Sequence, residues 1–215
     1  LSSSDFLLPG ISVAGEGAVP TSEPTHGTTM AETMLRGLDL VDDGGQGSNV
    51  RILPVDVYGN QETTSTFQVA AGVIAAIESG ASIINLSLGG QETTPFLQGI
   101  IRQSHQQGIV FVGAAGNEPG THDIFPAAYP EVLAVTSANR RGDVAGYANH
   151  GSFVDVMVPG HSYVNFNGET WLINGTSASA AYVSGITAGV AAASGLPMPE
   201  VEAQVRATLP RPPGN

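Results

Sequence analysis

Five short, predominantly apolar runs alternate along this chain with stretches of helical periodicity. The apolar runs fall at 50–57, 82–88, 109–115, 132–138 and 153–158, and the helical patterns at 28–38, 66–79, 95–107, 177–193 and 198–207. A strand with one wet face alternates apolar and polar residues, whereas a continuously apolar strand is covered on both faces. Strand–helix alternation of this kind predicts a three-layer, doubly wound α/β fold with a mostly parallel sheet, as a single domain over 1–215. Polar, glycine-rich punctuation at 42–48, 58–65, 89–94 and 117–123 reads as surface loops, not linkers. The tail, 209–215, is rich in proline and is expected to be extended and frayed.

In a sheet of this class ligands gather beyond the carboxyl ends of the strands. Two such ends carry small and polar residues, Ser87-Leu88-Gly89-Gly90 and Ala114-Ala115-Gly116-Asn117. A third candidate is Asn174-Gly175-Thr176-Ser177, which opens a run of small and apolar residues. Within that run Val183, Ile186, Thr187 and Val190 keep the i, i+3, i+4, i+7 spacing of one helix face. Ser177 is thus expected at the start of a buried helix, where unpaired N–H groups and the dipole favour developing negative charge. That suits a nucleophile; it equally suits a serine that merely caps the helix. A histidine, His26, precedes the helical pattern of Met30, Met34, Leu35 and Leu38.

Composition narrows the function. Hydrophobic residues make up 41% of the 215 residues and charged ones 12%, enough for a full core. No apolar stretch reaches the ~18 residues of a membrane span. With no cysteine, disulfide and thiolate chemistry are excluded. Seven basic against 19 acidic residues give a net charge of −12, which argues against a nucleic-acid partner. Together with Leu1 as the look of a mature start, this charge leads us to expect a secreted protein.

The order of His26-Gly27-Thr28, Ala114-Ala115-Gly116-Asn117 and Gly175-Thr176-Ser177-Ala178-Ser179-Ala180 resembles the blocks of the subtilisin-like serine proteases, and Ile84-Asn85-Leu86-Ser87-Leu88-Gly89-Gly90 resembles their substrate-binding strand. The resemblance implies a serine endopeptidase acting through an acyl-enzyme, with Ser177 as nucleophile, His26 as base and Asn117 as oxyanion donor beside the Ser177 N–H. It implies that Ser87, Leu88 and Gly89 pair with an extended substrate backbone. Ala115 and Gly116 would wall the pocket for the residue before the scissile bond. Phe125–Pro130 resembles the loop closing that pocket, with Phe125–Pro126 expected cis, and Gly116 and Ala127 are expected to leave the pocket open.

The chain departs from the family in several places. The orienting aspartate of the triad is absent: no apolar strand bearing one precedes His26, and Asp5 fits a position after it. Because a core strand is hard to delete without exposing apolar surface, the expectation is a cleaved N-terminal segment, retained as a companion chain. Omission of that segment and a catalytically silent peptide-binding module are the alternatives. An inhibitory propeptide is a further expected partner. Ala178, Ala181 and Tyr182 stand where Met, Pro and His are usual, which opens a third reading, acyl transfer to a peptide amine. No cofactor is required. A structural calcium ion is possible by resemblance at Asp5 and Asp39, with Asp42 and Asp43 nearby. His105, His122, His150 and His161 lack ligand spacing.

Overall fold

The computed structural model describes residues 6–15, 22–41 and 49–214. In chain order its elements are β1 (Ile11–Ser12), α1 (His26–Val41), β2 (Val55–Asp56), α2 (Thr66–Glu78), β3 (Ile83–Leu86), α3 (Pro95–Gln106), β4 (Val110–Ala114) and β5 (Val132–Ala138). These are followed by β6 (Val156–Pro159), β7 (His161–Phe166), β8 (Glu169–Asn174), α4 (Thr176–Ser194) and α5 (Met198–Thr208).

The expected parallel sheet is formed by β3, β4, β5 and β6 in that order, with Ile83 opposite Val110, Phe111 opposite Val132 and Val135 opposite Val156. Every residue of β4 and β5 is buried, as strands covered on both faces must be. On one face α2 and α3 supply Val69, Val73, Leu97 and Ile101 to a cluster with Ile84, Leu86 and Phe111. On the other, Val183 of α4 and Val201 and Val205 of α5 pack on Val110, Val112, Leu133 and Val135. Three layers result.

Helix ends follow local chemistry. Ser65 and Gln68 form a reciprocal capping box on α2, Thr94 caps α3 ahead of Pro95, and Gly195, at φ 63°, ends α4 in a left-handed turn. The contact of α1 with α4 depends on the absence of side chains. A Cβ on Gly185 would stand 1.9 Å from the Met34 carbonyl oxygen, and one on Gly37 2.1 Å from that of Tyr182.

Two local expectations are corrected, and one element is added. Of 50–57 only Val55–Asp56 is strand, because Pro54 has no N–H for a ladder; it pairs with a second short strand, β1. The antiparallel hairpin β7–β8 was not foreseen. Its strands are half polar, but Asn167 and Gly168, both at positive φ (50° and 80°), form the two-residue turn that such a pair favours. The tail does not fray at its start: the Met157 N–H donates to the Pro210 carbonyl at 2.7 Å, and Pro212 is buried.

Candidate active site

Three chain segments meet at the first turn of α4. Gly175, at φ 147°, is the N-cap and has no side chain to offer, so Ser177 is the second helical residue and not the cap. The cap function passes to Asn117, beyond the end of β4. Its Oδ1 accepts from the Thr176 N–H at 2.8 Å and from the Thr176 hydroxyl at 3.0 Å. A backbone N–H can only donate, so the bonded atom must be the oxygen, and the amide orientation is set by chemistry. Nδ2 is left without a partner among the described residues, on the side of Gly175. The Ser177 N–H also has no acceptor there. Two donors without partners among the described residues thus stand at the first turn of the helix that carries Ser177, its positive end.

Thr176 was not singled out in the sequence, yet it holds this corner together. Its Oγ1 accepts from the Gly116 N–H at 3.1 Å while donating to Asn117. Gly116 sits at φ 104°, a conformation that favours glycine. Ala115 is wholly buried, its N–H donating to Val135 and its carbonyl accepting from Asn149 Nδ2. Gly116 and Asn117 are therefore the accessible part of that wall.

The facing wall is the extension of β3. Ser87 Oγ donates to the Ser177 carbonyl at 3.0 Å, and Ser177 Oγ lies 3.3 Å from the Ser87 carbonyl, to which it donates. Behind them Asn85 Nδ2 donates to Ser87 Oγ at 2.8 Å, and Ser184, two turns into α4, donates to Asn85 Oδ1 at 3.1 Å. Leu88 and Gly89 make no backbone hydrogen bond to any described residue. They leave an open strand edge.

His26 is the first residue of α1, one position after Thr25, whose Oγ1 accepts from the Thr28 N–H at 3.2 Å. Met30, four residues on and so on the same helix face, packs against Ala178 and Ala181 of α4. This brings the starts of the two helices to one side of the molecule. The residue as a whole is exposed, yet enough protein surrounds the ring that desolvation lowers its pKa below the ordinary 6.5. Among the described residues it has no hydrogen-bond partner, Ser177 included.

Ile124 was also missed. A Cβ on Gly89 would lie 2.7 Å from its Cγ2, and one on Gly116 3.1 Å from its Cγ1. Ile124 therefore stands between the two walls where open space was expected. Ala127 lies behind, buried against Gly113 of β4. The Phe125–Pro126 bond is cis, as expected.

The subtilase family profile matches residues 3–211. This chain belongs to the subtilase family. The thermophilic serine proteinase of Bacillus sp. (strain AK1) is 34% identical over 146 residues, covering 67% of this subtilase and 36% of that protein. Thermitase of Thermoactinomyces vulgaris is 32% identical over 166 residues, 76% of this chain and 59% of its own. In structure, a cold adapted subtilisin-like serine proteinase superposes with a TM-score of 0.75 at 26% identity, covering 91% of this chain and 74% of that one. The subtilase described here spans between 36% and 66% of the length of the curated relatives it matches.

Asp5, Asp42 and Asp43 of the calcium reading lie outside the described residues, and Asp39 is exposed on α1. Among the described residues no group of three or more acidic or histidine side chains is gathered to hold a metal ion. His105 bonds Glu202 at 2.9 Å, and Glu202 and Asp155 both pair with Arg206, which ties α3 and α5 to the sheet.

Proposed function

We propose that this subtilase acts as a serine endopeptidase that hydrolyses extended peptides through an acyl-enzyme. The observation that carries the reading is the first turn of α4, where Asn117 Oδ1 holds the residue before Ser177 and leaves its Nδ2, like the Ser177 N–H, without a partner among the described residues. A peptide lying along Leu88 and Gly89 would complete their open edge as an added strand. Ser177 Oγ turns from the Ser87 carbonyl, gives its proton to the neutral imidazole of His26 and attacks the scissile carbonyl carbon. The oxygen gains negative charge and is held by the two donors, which need no rearrangement. His26 returns the proton to the leaving amine; water then adds to the acyl-enzyme by the same route and releases the acid.

The orienting carboxylate belongs, on this reading, to a segment outside residues 1–215 that enters the sheet. The arrangement of strands supports this. Val55 and Val57 share one apolar cluster with Ile84 and Leu86 beneath α2. Among the described residues, however, no hydrogen bond joins β2 to β3, and the parallel sheets β1–β2 and β3–β6 stay separate. A strand between them would pair with both free edges.

The unpartnered His26 and the turned-away Ser177 Oγ favour a second reading, a silent module that binds peptides in the same cleft. Fluorophosphonate labelling, mapped by mass spectrometry against a Ser177→Ala control, separates the two. Adduct confined to Ser177 supports the protease. No adduct in folded protein supplied with the preceding segment supports the silent module. Ligated product on adding a peptide amine would point to acyl transfer.

A further inference from the structure

We infer that Ile124 closes the pocket for the side chain preceding the scissile bond, so that the cleft takes peptides with glycine, alanine or serine there and turns away leucine and aromatic residues. This rests on the reading above that 87–89 and 116–117 flank the bound peptide.

Each of the two walls presents a glycine to Ile124, Gly89 on one and Gly116 on the other. Neither has a side chain of its own, so the slot beside them is shaped by what packs against them. Here the slot holds the branched end of Ile124, its Cγ2 directed at Gly89 and its Cγ1 and Cδ1 at Gly116. Only 9% of the residue remains exposed. It cannot swing aside easily. A β-branched side chain has few χ1 choices, and its backbone is anchored on the C-terminal side: the Ile124 carbonyl accepts from the Ala128 N–H at 2.7 Å. Phe125, the next residue, exchanges two backbone hydrogen bonds with Gly90, at 2.9 and 2.7 Å. That bridge joins the two walls beyond Gly89 and closes the far end of the slot. The Phe125 carbonyl oxygen would itself stand 3.0 Å from a Cβ on Gly89. What is left is a shallow apolar floor that a methyl or hydroxymethyl group can rest on, while a benzyl or isobutyl group would overlap Ile124. No charged side chain takes part in these contacts, so the selection is by size.

The test measures binding apart from chemistry. Two peptides, identical except for Ala or Phe at the selected position, are titrated onto the chain carrying Ser177→Ala, and onto the same chain carrying Ile124→Gly or Ile124→Ala as well. The alanine peptide should bind at least about tenfold more tightly with Ile124 in place, the scale on which a close-fitting pocket discriminates. The gap should narrow or reverse when Ile124 is cut back. Should Ile124→Gly fail to fold, the ratio on the parent chain and the Ile124→Ala variant still decide. Equal affinities, tighter binding of the phenylalanine peptide, or no binding of either would overturn the inference. Labelling of Ser177 by a small fluorophosphonate reads the catalytic proposal independently. Size selection without labelling would remove the hydrolase and leave the pocket as described.

Discussion

At Asn117 a single amide is divided between structure and chemistry. Its oxygen is bound by both donors of Thr176, which leaves its nitrogen, on the side of Gly175, without a partner among the described residues. Asn117→Ala should lower kcat about 10²–10³-fold with little change in KM, because the donor acts on charge that develops only in the transition state. Steady-state kinetics on the active enzyme would check this, and a rise in KM alone would count against it. At His26, desolvation disfavours the cation. Proton NMR of the 215-residue chain should give its titration midpoint below the ordinary 6.5. The neutral ring then contributes stability that is present above 6.5 and lost as pH falls through the folded value. A carboxylate brought beside the ring should move the midpoint upward. A midpoint above 6.5 in the chain alone would contradict the burial described here.

The element on which the site depends is α4, buried from Thr176 through most of its length and packed against both the sheet and α1. Its register against α1 is set by backbone contact at Gly185. Gly185→Ala would drive a methyl group into the Met34 carbonyl, and no flexible side chain is there to yield. Urea unfolding should show a loss of about 3 kcal/mol, the upper end for overpacking in a tight core. A shift under about 0.5 kcal/mol would mean that the helices can part without cost. Should they part while the protein stays folded, activity would fall too, because His26 and Ser177 begin the two helices concerned. The hairpin β7–β8 leads directly into Gly175 and joins α1 through the hydrogen bond from Thr33 Oγ1 to Ser162 Oγ, at 3.0 Å. It therefore steadies both approaches to the site.

For the whole molecule, the separation of β1–β2 from β3–β6 has a thermodynamic consequence. A segment that binds the folded chain and not the unfolded one should raise its stability by about 2.7 kcal/mol at a hundredfold excess over Kd. Thermal unfolding of the chain, with and without a peptide carrying the proposed aspartate-bearing strand, would read this as a higher Tm. An unchanged Tm would sink the proposed insertion. Much of this architecture is legible from local pattern. The apolar runs that became β3–β6, the five helices to within two or three residues and the three site blocks depend on periodicity and on turn residues acting over a few positions. The hairpin escaped because its alternation is half polar, although Asn167-Gly168 announced it. Local pattern is enough to assign a serine, a histidine and an asparagine to three elements of a layered α/β fold. It takes the folded chain to show that Thr176 turns the Asn117 amide, that Ser177 rests against Ser87 and that Ile124 lies against both Gly89 and Gly116. The first two are contacts between residues 59 and 90 positions apart, and the third is the fit of one side chain against two segments. Distances of that kind arise from the packing of whole elements, which no local run of residues encodes.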